Sequence, residues 1–198
     1  MCNDKKELEH MIWGDRRLKD LLNSGMITNG DENLVNPASI NLRLGDSFIK
    51  PIPHEYVELG GEMKYMPVMK EYRNGTTLIM PGDFMLATTM EHVSVPLNCA
   101  AFVQGRSSIG RIGLMVQNAG FVDPGFNGHI TLELKNDSPC AIALKPGYPV
   151  AQLIFMDAMD VSKGYNGKYQ NQVEATGSRM FMDGISIIKQ EGKAKDDR

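Results

Sequence analysis

Residues 129–156 read HITLELKNDSPCAIALKPGYPVAQLIFM. In HITLELKN, Leu132 and Leu134 alternate with Thr131, Glu133 and Lys135, the period-two pattern that sends one set of side chains to a core and the other to the opposite face of a strand. CAIAL and YPVAQLIFM follow as short apolar runs separated by Pro146-Gly147. Proline presets the first central position of a turn and glycine supplies the positive φ of the second, so the pair predicts a turn between two strands. Two more such pairs lie upstream: Pro81-Gly82 leads into DFMLATTMEHVSV at 83–95, and Pro124-Gly125 leads into HITLELKN itself. Short, turn-bounded strands at this spacing predict an all-β sandwich or barrel of antiparallel strands, not a β-α-β array.

Working outward, INLRLGDSFIK at 40–50 alternates Ile40, Leu42 and Leu44 with Asn41 and Arg43, which predicts another half-buried strand. Before it, RRLKDLLNSG places Leu18, Leu21 and Leu22 on one helical face, with Asp15 as the expected N-cap and Gly25 as the stop. Residues 51–75 hold prolines and glycines with weak alternation and read as loops and irregular hairpin arms. After Met156 the chain turns polar, through GYNGKYQNQVEATGSR at 164–179. Such a segment buries too little apolar surface to order itself, so it is a flexible tail or an arm that orders on a ligand. The reading is one domain over residues 1–180, with its arm at 160–180, and a charged extension at 181–198 whose end, IIKQEGKAKDDR, is expected to be disordered.

A chain of 198 residues leaves room for one full-sized domain, and 42% hydrophobic with 23% charged residues is ordinary globular usage. The formal charge of -3 and pI near 5.8 lack the basic field used to hold nucleic acid, so no nucleic-acid partner is expected. No apolar stretch reaches the roughly 20 residues of a membrane span, and MCNDKKELEH has no signal-peptide core, so the expected location is cytoplasmic, with no membrane partner. Cys2, Cys99 and Cys140 are odd in number and far apart, as free thiols in a reducing compartment are. His10, His54, His92 and His129 show no paired metal-ligand spacing. Zinc nucleobase deaminases use H-x-E with P-C-x-x-C; here Pro139-Cys140 is followed by Ala141-Ile142-Ala143, so no zinc site is expected.

Chemistry concentrates between residues 105 and 136. Gly105-Arg106-Ser107-Ser108-Ile109-Gly110-Arg111 combines glycines, hydroxyls and guanidiniums, groups that cradle phosphate through backbone N–H, O–H and forked donors. The same composition suits an ordinary polar turn, and the Walker and dinucleotide spacings are missing. Glu133 either belongs to a solvated face or, if that face lines a pocket, is desolvated into a general acid/base. Asp123, just before a Pro-Gly turn, is by itself a common turn residue.

Taken in order, GRSSIGRIGL, AGFVDPGF, GHITLEL, PGYPVAQLIF and GKYQNQ resemble the dCTP deaminase branch of the dUTPase superfamily, over a span from about Trp13 to Arg179. The resemblance implies a mainly β fold, a distorted antiparallel β-barrel with a short N-terminal helix, assembled as a homotrimer with active sites at subunit interfaces. It implies zinc-independent hydrolytic deamination of dCTP, with Mg²⁺ bound through the triphosphate. Ala119-Gly120 resembles the kind that continues to dUMP and diphosphate, with dUTP as a further substrate; dTTP is the inhibitor such a family admits. The alternatives are a dUTPase without deaminase activity, or a nucleotide-binding regulatory module.

Residue by residue, the resemblance makes Glu133 the proton shuttle and gives Ser107 and Arg111 the orientation of the water and the glutamate. Arg106, Ser108, Ile109 and Gly110 complete the phosphate loop, and backbone near Ala119 helps hold the water. Asp123 faces the deoxyribose and, in dUTPases, positions the water that attacks the α-phosphate. Thr131 and Leu132 contribute backbone contacts to the base, Gln152 matches the glutamine of the AQLIF strand, and Tyr165, Lys168 and Gln172 belong to an arm over the triphosphate.

Overall fold

A computed structural model describes residues 12–70, 75–117 and 120–183. Helix α1 (Asp15–Asn23) opens the fold and is followed by β1 (Ile27–Thr28), β2 (Val35–Asn36), β3 (Ser39–Pro51), β4 (Tyr65–Pro67), β5 (Thr77–Ile79), β6 (Phe84–Ser94) and β7 (Cys99–Gly105). A single helical turn, α2 (Ser107–Gly110), leads to β8 (Leu114–Gln117), β9 (Phe121–Val122), β10 (Asn127–Asn136), β11 (Ile142–Leu144) and β12 (Pro149–Asp157).

Among the described residues the main sheet has ten strands, all pairings antiparallel, in the order β8-β10-β6-β3-β12-β7-β9, with β1 on β6 and β2 and β4 on β3. The sheet curls into a distorted half-barrel. Gly105 on β7, near one end of that order, comes so close to β8 at the other that an added Cβ would stand 3.2 Å from the Val116 Cβ. Ile40, Leu42, Leu44, Leu132, Leu134, Leu153 and Phe155 fill the inside and are fully buried. No helix among the described residues is long and apolar enough to cross a membrane.

The three Pro-Gly turns form as expected, with Gly82, Gly125 and Gly147 at φ 82°, 84° and 82°. Three local expectations are corrected. Gly14 takes the N-cap position with extended backbone and no side-chain cap, while Asp15 is the first helical residue, where its charge favours the positive helix end. The alternation in β3 is real, but Ser39 and Asn41 are buried too, because β3 is central, between β6 and β12. CAIAL contributes only β11, which leaves the main sheet to pair with β5 in a separate two-stranded ribbon. Where described, residues 51–75 are irregular apart from Pro51, which ends β3, and β4, as expected. The charged end IIKQEGKAKDDR and Ala119 lie outside the described residues.

Candidate active site

The strand β10 presents Ile130, Leu132 and Leu134 to the core and His129, Thr131, Glu133 and Lys135 to the other, half-buried face. Glu133 is registered between Leu86 of β6 and Gln117 of β8, so neighbours on both sides hold its backbone. Burial raises the pKa of its carboxyl above the ordinary value, because removing water penalises the charged form. The outer face of β10 meets a cavity, and Glu133 is among the residues that line it.

That pocket is a cleft of about 550 Å³. Its floor is Glu133, Thr131 and Ile130 of β10 with Phe84 and Leu86 of β6; one wall is Phe121, Val122 and Asp123; the cover is Tyr165, Tyr169, Gln172 and residues 176–178. Two carboxylates of different character therefore face one apolar-floored cavity. Glu133 is half-buried, whereas Asp123 at the rim is exposed.

The cover is the polar segment read as a flexible tail or a ligand-ordered arm, and in the structure it lies along the sheet. The arm is anchored by the chain's own sheet. Tyr165 N donates to Pro124 O at 2.7 Å, Asn171 N to Asn127 O at 2.7 Å, and His129 N to Gln172 O at 2.9 Å. Gln170 receives the Asn127 N–H at 2.9 Å and donates to Gly125 O at 2.9 Å, and Ala175 N donates to Ser47 Oγ at 3.1 Å. Thr176 N donates to Thr131 Oγ at 3.2 Å, which ties the arm to the cleft floor. Hydrogen bonds to a preformed strand edge supply what apolar burial in this segment lacks.

Close backbone approach makes one residue decisive for this docking. At Gly125, φ is +84° and an added Cβ would lie 2.7 Å from the Gly164 Cα, backbone against backbone. Gly125→Ala is therefore expected to lift the start of the arm while the sheet stays folded. Limited trypsin digestion would then cut after Lys163 or Lys168 at least about tenfold faster than in the wild type, in line with open-state populations set by a loss of one to two kcal/mol. An arm equally protected in both proteins would contradict it.

Not every residue singled out in the sequence reaches this cleft. Thr131, Glu133, Asp123, Tyr165 and Gln172 line it together. Leu132 points into the core at 1% exposure, so only its backbone is available to a ligand. The 105–111 stretch is not an open loop: Arg106 is the N-cap of the helical turn α2, Ile109 is a buried anchor, and Ser107, Ser108, Gly110 and Arg111 are exposed and do not line the cleft. The Arg106 guanidinium donates to Pro149 O at 3.0 Å. Gln152 sits on β12 opposite Asn41 and Gln104, and Lys168 pairs with Asp183; neither lines the cleft. The reading missed Tyr65, Phe84, Leu86 and Tyr169. Phe84 and Leu86 sit in the apolar run that opens β6, Phe84-Met85-Leu86-Ala87, which does not alternate, and Tyr65 and Tyr169 come from segments without periodicity, joined only in space.

The curled antiparallel sheet places the protein in the dCTP deaminase-like fold class. The family model described as dCTP deaminase-like matches residues 12–158. The chain belongs to the dCTP deaminase-like family. It is 39% identical over 178 residues to a protein of Sulfurihydrogenibium sp. (strain YO3AOP1) named dCTP deaminase, dUMP-forming, covering 87% of this chain and 99% of that one. It is 37% identical over 178 residues to the protein of the same name from Aquifex aeolicus (strain VF5), covering 87% and 97%. The crystal structure of 2'-deoxycytidine 5'-triphosphate deaminase from Agrobacterium tumefaciens superimposes with a TM-score of 0.59 at 19% identity, over 76% of this chain and 50% of that one, a likeness of fold.

Proposed function

We propose that the protein deaminates dCTP and carries the product on to dUMP and diphosphate in one site. The observation that carries the reading is Glu133, a half-buried carboxyl with a raised pKa, facing the same cleft as Asp123. A carboxyl tuned upward is better suited to take and to return a proton, as deamination requires. Glu133 removes a proton from water as its oxygen attacks C4 of cytosine and passes that proton to N3. From the tetrahedral carbon it then moves the hydroxyl proton to the amino group, the C4–N bond breaks, ammonia leaves and the uracil carbonyl forms. General acid-base catalysis of this kind contributes roughly 10² to 10⁴-fold.

For the second step Asp123 holds a water in line with the α-phosphorus, and the bond to the bridging oxygen of the diphosphate breaks. The names of the relatives, dUMP-forming, agree with the Ala119-Gly120 resemblance and favour this continuation over release of dUTP. Among the described residues no group of three or more His, Cys, Asp or Glu side chains is placed to hold a metal ion. Mg²⁺ is read as part of the substrate, carried on the triphosphate, as the family resemblance implies. The arm, with Tyr165, Lys168 and Gln172, lies over the nucleotide and excludes water from the reacting base.

Ser107 and Arg111 are exposed and do not line the cleft of their own chain, so in this reading they serve the cleft of a neighbouring copy, with Arg106, Ser108 and Gly110 beside them on the triphosphate. A homotrimer completes each site in this way. One experiment tests both claims: incubate with dCTP and Mg²⁺, identify ammonia, dUMP and diphosphate, then mix inactive Glu133→Gln and Arg111→Ala subunits after co-refolding. Mixed assemblies are expected to recover roughly a quarter to a third of wild-type activity, because some interfaces pair two intact halves. No ammonia from the wild type refutes the deaminase; no recovery on mixing refutes the shared site.

A further inference from the structure

Between β6 and β10 the pairing slips. His129 is opposite His92 and Thr131 opposite Thr88, so Thr89, Met90 and Glu91 stand across from Ile130 alone. An excursion of this kind leaves backbone groups without ladder partners. The Ile130 N–H is met by a side chain, donating to the Thr89 hydroxyl at 3.0 Å. That hydroxyl in turn donates to Glu91 O at 2.8 Å, and Thr89 is 1% exposed. Glu91, fully buried, accepts from Arg43 N at 2.8 Å and Arg43 Nε at 2.7 Å, which pins the excursion to β3. The Thr89 carbonyl is 3.0 Å from His129 Nδ1, which donates to it in the tautomer protonated there.

The residues on either side of Ile130 are the ones that hold the arm: His129 N donates to Gln172 O, and Thr131 Oγ receives Thr176 N. Two residues on stands Glu133. We propose that Thr89 is a positioning residue for the cleft, its hydroxyl fixing the break in register at which β10 presents Thr131 and Glu133 and seats the arm. The catalytic part of this inference rests on the deaminase reading; the seating of the arm does not. A methyl in place of the hydroxyl leaves the Ile130 N–H buried without an acceptor, and β10 shifts to relieve it.

The test compares Thr89→Val, isosteric but without the hydroxyl, with Thr89→Ser, which keeps it, in steady-state assays with dCTP and in limited trypsin digestion of the arm. For the valine variant we expect KM for dCTP to rise about fivefold, the size of one net hydrogen bond, and kcat to fall about tenfold through misplacement of Glu133. The arm should be cut faster after Lys163 and Lys168, and serine should restore all three. A residue that served stability alone would lower the folded fraction and leave KM and arm protection unchanged; that result overturns the proposal. Should the valine variant not fold, Thr89→Cys, close in size and a weak donor, carries the same comparison. If the wild type releases no ammonia from dCTP, the deaminase reading falls and the digestion alone decides whether Thr89 seats the arm.

Discussion

Glu133→Gln is expected to lower ammonia release from dCTP by at least about 10²-fold, the loss that goes with removing an acid/base group from a reacting centre. Glutamine keeps the volume and the hydrogen-bonding reach of the side chain, so the cleft floor formed with Leu86 and Thr131 stays intact and only proton transfer is lost. Cleavage of added dUTP should be spared by comparison, because that step is assigned to Asp123. The substitution also carries a stability signature. A carboxyl whose folded-state pKa is raised above its unfolded value binds its proton more tightly in the folded protein, so stability falls as pH rises from the ordinary carboxylate value through the raised one, and levels off above it. Glutamine has no such titration. The variant should melt above the wild type at neutral pH and level with it below about pH 4. Near-normal ammonia release would remove Glu133 from the mechanism, and a melting difference independent of pH would remove the desolvation argument.

Asp123→Asn should have the complementary effect: ammonia release within a few-fold of wild type, dUMP formation down by at least about 10²-fold, and dUTP accumulating in the reaction. The physical ground is the position of Asp123 at the exposed rim of the cleft, while Glu133 lies at its half-buried floor. A carboxylate at the cleft rim can hold a water against a phosphorus, and an amide of the same shape holds it without accepting its proton. Product separation over a time course reads both steps at once. If dUMP and diphosphate form from dCTP at the wild-type rate, Asp123 is a turn residue only. If dUTP accumulates from the wild type as well, the two-step reading fails and a plain deaminase remains.

Much of this was written locally. A Pro-Gly pair limits two successive residues to turn dihedrals whatever surrounds them, and all three pairs form turns. The alternation of Thr131, Leu132, Glu133 and Leu134 settles which side chains share a face, because successive Cβ atoms of a strand point oppositely. Likewise the spacing of Leu18, Leu21 and Leu22 placed α1, with Gly25 just past its end. What the alternation left open was whether the outer face of β10 met water or a cavity. That depended on Phe84 and Leu86, more than forty residues earlier, and on Tyr169 and Thr176, more than thirty later.

The arm marks the boundary between the two kinds of information. Its composition predicts that it cannot order by burying its own apolar surface; in the structure Tyr165 packs against the core and Ala175 is buried, while polar bonds run to Pro124, Gly125, Asn127, His129 and Thr131. No local pattern encodes those partners, because a backbone N–H or C=O is the same at every residue and becomes specific only when the fold brings an edge within reach. The 105–111 stretch shows the same division. Residue types alone suggested affinity for phosphate, and the motifs indicated the family, but only the path of β7 into α2 left Ser107 and Arg111 exposed and outside the cleft lined by the Glu133 of their own chain. Sequence by itself determined the turns, the faces of the strands and the chemical groups available. Tertiary structure decided which of those groups share one cavity, because convergence in space depends on how the sheet curls and where its strand order places residues remote along the chain.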